Sequence, residues 1–238
     1  MNKIKKSIRP GTLFLLGVMC ILGLLSQYLI IQTETFIFDK TSYTDFSITE
    51  SVTHWIVTCV LWGILGLVLF YIASRFYGCD LLKKENRPDS KGLAAAVLLL
   101  SASVGIKYLL LGGWQMAIDF SREGWFQFIF LYINKLFEAS LLLLAAVFFQ
   151  EAAELLHRST PKPEDDEYPS SNKHLIIPIP WGGMVLALTW GLTHFITTGD
   201  IAMALYYTAV AFFIGCAHLA ARKNIYISYA FAAILITM

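Results

Sequence analysis

Four ionisable residues, Glu151, Glu154, His157 and Arg158, crowd into the stretch Gln150–Arg158 at the end of a long apolar run, and one imidazole, His194, stands inside a later run. A charge at membrane depth costs a few kcal/mol or more, so such groups face protein or water and become site candidates. Glu151 and Glu154 are about one helical turn apart. Glu154 and Arg158 are at i, i+4 with the acid N-terminal, the favoured order for a pair. Glu154 and His157 have the Glu-x-x-His spacing of carboxylate metal sites, but the second copy that such sites take from another helix is missing from the sequence. The cofactor therefore stays open between none and a divalent metal. His194, in Trp190-Gly191-Leu192-Thr193-His194-Phe195, suits a base, a metal ligand or a hydrogen-bonded packing residue. A further group is Lys107, Lys135 and Glu138: Lys135 and Glu138 share a helix face, and Lys107 falls at a similar depth on the preceding run. A buried ion pair from Glu138 to Lys107 or Lys135 is expected there, with an ion relay as the alternative. His218 lies near the end of its run, where snorkelling is easy.

These residues must be held by helices. The chain has 238 residues, of which 57% are hydrophobic, and runs of roughly twenty apolar residues are long enough to cross a bilayer core of ~30 Å. The reading is an all-α, polytopic helical membrane protein with about seven transmembrane helices. Its single membrane-embedded domain covers 1–238 and leaves no room for a separate soluble one. The spans fall near Gly11–Gln32, Thr53–Tyr77, Gly92–Ala117, Trp125–Phe149, Trp181–Thr197, Ile201–Ala221 and Ile225–Met238. The last is short for a crossing. Basic residues lie before the first span (Lys3, Lys5, Lys6, Arg9) and after the second, fourth and sixth. The alternate loops hold Lys40 and Arg122 alone. The positive-inside rule then predicts a cytoplasmic N-terminus and an extracellular C-terminus, and the expected location is the plasma membrane. The first run is too long for a signal-peptide h-region and reads as an uncleaved helix. Trp55, Trp114, Trp125 and Trp181 fall at predicted span ends, the level that indole rings prefer. Residues 159–173, with Glu164-Asp165-Asp166-Glu167 among prolines and serines, read as a flexible acidic cytoplasmic loop. Cys20, Cys59, Cys79 and Cys216 have no metal spacing. Gly112-Gly113 and Gly182-Gly183 suit close helix approach. The apolar runs make the lipid bilayer a partner, and the net charge of +1 gives no sign of a nucleic acid.

The order of these features resembles the CPBP superfamily of CAAX prenyl proteases and bacteriocin-processing proteins. Its pattern is Glu-Glu-x-x-x-Arg at the end of an apolar helix, Phe-x-x-x-His in the next span, then His-x-x-x-Asn on a short last helix. This chain offers Ala153-Glu154-Leu155-Leu156-His157-Arg158 for the first motif and Trp190-Gly191-Leu192-Thr193-His194 for the second. The run from Phe213 to Ser228 resembles the approach to the third. The likeness covers about 150–238. Glu154, Arg158 and His194 carry over. Ala153 stands where the family has the Glu taken to activate water, and Ala230–Ile236 holds neither His nor Asn. The resemblance implies an intramembrane endopeptidase acting on a peptide or membrane protein, with Glu151 or Glu154 activating the water and His194 donating to the oxyanion. A catalytically degenerate scaffold, chaperone or bacteriocin-immunity protein is the alternative. A small transporter subunit is a second.

Overall fold

The structure is a computed structural model that describes residues 9–77, 90–159, 179–194 and 200–238. Lys3, Lys5, Lys6, Cys79, the basic cluster at 83–87 and the acidic loop beyond residue 159 lie outside the described residues. Seven helices and no strand are present among the described residues. They are α1 Pro10–Ile37, α2 Ile48–Tyr77, α3 Ser90–Leu111, α4 Gln115–Ser159, α5 beginning at Trp181–Leu186, α6 Ile201–Ala220 and α7 Ile225–Thr237. Five of them, α1, α2, α3, α4 and α6, are long and apolar enough to cross a membrane, so the chain is an all-α helical membrane protein. Helix α7 has 13 residues, about 20 Å of rise. Helix α5 is helical through residue 194, which is similarly short.

Local chemistry sets the helix starts. Pro10 occupies the first turn of α1, where its missing N–H costs nothing. Ser47 and Glu50 form a reciprocal box at the start of α2, with the Ser47 N–H donating to Glu50 at 2.6 Å. Asp200 and Asn224 accept the first free N–H groups of α6 and α7. Gly112 ends α3 with φ +69°, and the Gly113 N–H reaches back to the Tyr108 carbonyl at 3.1 Å. A Cβ on Gly112 would meet nothing within 4 Å, so this glycine is a helix terminator and not a close-approach residue as expected.

Helix α4 is the axis of the bundle and packs against α1, α2, α5 and α7, while α3 packs on α6. It is two helices joined at Gly124, whose φ of 72° and ψ of 169° break the helical path. Residues 115–123 form a separate piece, and α3 stops at Leu111 although the apolar pattern predicted a span to Ala117. The long piece runs to 159, well past the expected Phe149, so Glu151 and Glu154 are helical.

Near the 38–47 connection, His54 Nδ1 meets Glu34 at 2.6 Å, and both side chains are buried. This pair ties α1 to α2. Tyr43 packs its ring edge-on to His54. Burial pushes the Tyr43 phenol up to about 12, reinforced by the Glu123 and Glu34 carboxylates. Trp55, expected at the headgroup level, is instead buried beneath this cap, whereas Trp114, Trp125 and Trp181 are exposed. Among the described residues Lys40 and Arg122 lie at this end of the bundle, and Arg9, Arg75, Lys91, Arg222 and Lys223 lie at the other.

Candidate functional site

Two polar clusters stand at different depths along α4. At the end that carries the described basic residues, Lys223 Nζ donates to Glu151 at 2.8 Å and to Glu154 at 2.6 Å. The turn between α6 and α7 aims that amine. Arg222 and Lys223 both take left-handed backbone, φ 51° and 62°, and the Lys223 N–H closes on the His218 carbonyl at 2.8 Å. Two non-glycine residues in this region are costly, which a double carboxylate contact helps to offset. Lys223 thus neutralises both acids. In the sequence it counts only as one more cytoplasmic charge.

Gln150 joins the same cluster. Its Nε2 donates to Glu154 at 2.9 Å and to the Ile179 carbonyl at 3.1 Å, and its Oε1 accepts the Gly182 N–H at 3.1 Å. The last contact satisfies one of the N–H groups that every helix start leaves unpaired. Gln150 therefore holds the start of α5 against α4. Gln150→Ala is expected to lose about 2 kcal/mol, since a buried N–H and a carbonyl lose their partner together. Thermal unfolding of the purified protein reads this, and a melting temperature equal to wild type would remove the role.

His194 is elsewhere. Helix α5 passes through a π-helical turn at Ala187–Gly191, an insertion that recurs at functional sites. Beyond it His194 stacks on Tyr207, with ring centroids 4.1 Å apart, and meets Trp190 edge-on at 4.5 Å. His194 lines a cavity of about 210 Å³ together with Lys107, Asp119, Lys135, Glu138 and Tyr207. A smaller cavity of about 40 Å³ adjoins it, shares Glu138, Trp190 and His194, and reaches Trp62 and Tyr28. Glu138 stands sixteen residues before Glu154 on one helix, about 24 Å along its axis. The structure thus brings His194 to the level of Glu138, and Glu151 and Glu154 to Lys223. Arg158 is in the last turn of α4, and the described side chains of that helix end at His157.

The cavity also revises the expected ion pair. Lys135 donates to Asp119 at 2.7 Å and lies 4.6 Å over the Tyr132 ring. Asp119 further accepts from Gln115 Nε2 at 2.6 Å, the Tyr132 hydroxyl at 3.4 Å and Arg122 at 3.5 Å. The Gly124 break folds residues 115–123 back so that this carboxylate reaches the long helix. Lys107, only 2% exposed, has its Nζ 5.7 Å from the Tyr206 ring centre. Among the described residues no carboxylate lies within 4 Å of it. Asp119 was missed because it sits in a stretch that reads as the end of one span and a loop. The only sequence signal was an acid followed by Gly124 and a lysine one span deeper.

His218, expected to snorkel, is instead 2% exposed, with Nδ1 2.9 Å from Ser228 Oγ between α6 and α7. Among the described residues no group of three or more His, Cys, Asp or Glu side chains forms a cage for a metal ion. The acids at the Lys223 cluster are held by that lysine, and Asp119, Glu138 and His194 in the cavity are not grouped into a closed site.

No protein-family model, curated protein or solved structure matches the chain.

Proposed function

We propose that this chain is a CPBP-like, multi-pass protein of the plasma membrane, cytoplasmic at its N-terminus and extracellular at its C-terminus, that binds a peptide or membrane-protein partner without cutting it. It would serve as a scaffold, chaperone or bacteriocin-immunity factor. The observation that carries the non-hydrolytic reading is the engagement of Glu154 by Lys223 and Gln150, about 24 Å along α4 from the level of His194. A carboxylate held by an ammonium is a weak base, and a general base must lie within hydrogen-bond reach of the water it activates. The split of basic residues between the bundle ends supports the orientation.

A second reading keeps hydrolysis but changes the acid. Glu138 and His194 line one cavity, so Glu138 would activate water and His194 would donate to the oxyanion. One panel separates the readings. The full chain in proteoliposomes is incubated with a fluorogenic peptide mixture, as wild type, Glu138→Gln and Glu154→Gln. No cleavage by any of the three is the expected result. Cleavage lost in Glu138→Gln alone would establish the second reading. Cleavage lost in Glu154→Gln would overturn both and restore the endopeptidase built on Glu154, Arg158 and His194.

A further inference from the structure

The cavity between α3, α4, α5 and α6 holds charges of both signs, and only some of them neutralise one another. Lys135 and Arg122 are spent on Asp119, which is itself 1% exposed and also holds Gln115 and Tyr132. That leaves the Lys107 ammonium and the Glu138 carboxylate. Both line the same space, and among the described residues they make no direct ion pair with each other. Lys135 and then Lys107 are the cations whose fields reach Glu138, which also takes a hydrogen bond from the Trp190 side chain and keeps its remaining acceptor positions toward the cavity. A buried amine and a half-buried acid that do not pair in a bilayer are costly, so a group that satisfies both at once gains from each.

We propose that this cavity binds a small zwitterion of the α-amino-acid type, its carboxylate on Lys107 and its ammonium on Glu138. Size agrees. A space of about 210 Å³ is about 7 Å across if round, room for a small amino acid. It is smaller than the ~300–1,000 Å³ of pockets for drug-sized ligands. Charge agrees as well. A simple anion would meet Glu138, and a simple cation would meet Lys107. Tyr207 and Trp190 give the aliphatic part of the ligand an aromatic wall. Two interrupted helices adjoin the cavity, α4 at Gly124 and α5 at its π-helical turn, and broken helices are how membrane proteins build sites for charged solutes. This inference does not rest on the likeness to the CPBP superfamily.

The test is calorimetric titration of the purified full chain with L-alanine, propionate and propylamine. L-alanine is expected to bind at least about tenfold more tightly than either half-ligand, the worth of one added charge-assisted hydrogen bond. Glu138→Gln is expected to reduce L-alanine to the affinity of propionate. Lys107→Met is expected to reduce it to that of propylamine. Glu138→Gln is nearly isosteric, so it keeps the test decisive if Lys107→Met fails to fold. Equal affinity for all three probes, no binding of L-alanine to folded wild type, or undiminished binding by a folded variant would each overturn the proposal.

Discussion

Asp119→Ala is expected to destabilise the protein by about 3 kcal/mol, the lower end of the range for removing one partner of a buried charge pair. The lower end applies because the Lys135 side chain keeps 17% exposure, whereas that of Asp119 keeps 2%. Four donors converge on this carboxylate: Lys135, Gln115, Tyr132 and Arg122. Two of them, Lys135 and Tyr132, link residues 115–123 across the Gly124 break to the long piece of α4, and Tyr132 also reaches the Thr237 carbonyl at the end of α7 at 3.2 Å. Truncation therefore releases the short helix, uncovers one wall of the cavity and leaves an ammonium without its acid. Asp119→Asn separates the contributions, because its one amide oxygen still accepts from Gln115 at the Oδ1 position or from Tyr132 at the Oδ2 position but no longer carries charge. Its loss is expected to fall between that of Ala and zero. Thermal unfolding in detergent measures both. If Asp119→Ala unfolds at the wild-type temperature, the carboxylate does not anchor the short helix.

Helical content and most span positions were legible because twenty-residue apolar runs leave the backbone no alternative in lipid: every N–H and C=O must pair within its own segment. Span ends were less legible. Asn224 and Asp200 cap as their types suggest, but α4 runs on past Phe149 because Gln150, Glu151 and Glu154 find partners on α5 and on the α6–α7 turn. Such partners lie 29 to 72 residues away in sequence, beyond any local pattern. The site shows the same limit. That Glu138, Lys107 and Lys135 are set inside the bundle follows from the cost of charge in lipid. Which acid meets which amine depends on the turn at Gly124, and glycine alone does not announce a reversal. His54 and Glu34 are a similar case. They look like scattered polar residues near two helix ends, and they become a buried pair only because α1 and α2 run antiparallel through a tight connection.

Gly182→Leu and Gly183→Leu are expected to cost the most, at least about 3 kcal/mol each and loss of the folded protein at the upper limit. A Cβ on Gly182 would overlap the Ala146 carbonyl of α4, and one on Gly183 would press on the Phe212 carbonyl of α6. Backbone atoms cannot swing aside as a flexible side chain does. Gly215 on α6 faces Gly183 in the same way, so the α5–α6 crossing is glycine against glycine. Farther along α5, a Cβ on Gly191 would strike Thr208. A side chain at 182 or 183 has to lever α5 away from both neighbours, and with it Trp190 and His194, which form a wall of the cavity. Even alanine should be harmful at these two positions. Gly105 is the control: it lies inside α3 with nothing within 4 Å of its would-be Cβ. There alanine is expected to stabilise by about 0.5–1 kcal/mol through the lost flexibility of the unfolded chain. Opposite signs for Gly183→Ala and Gly105→Ala in the same melting assay would locate the constraint in helix contact. A harmless Gly183→Ala would mean that α5 does not sit this closely on α6, and the placement of His194 in the cavity would lose its support.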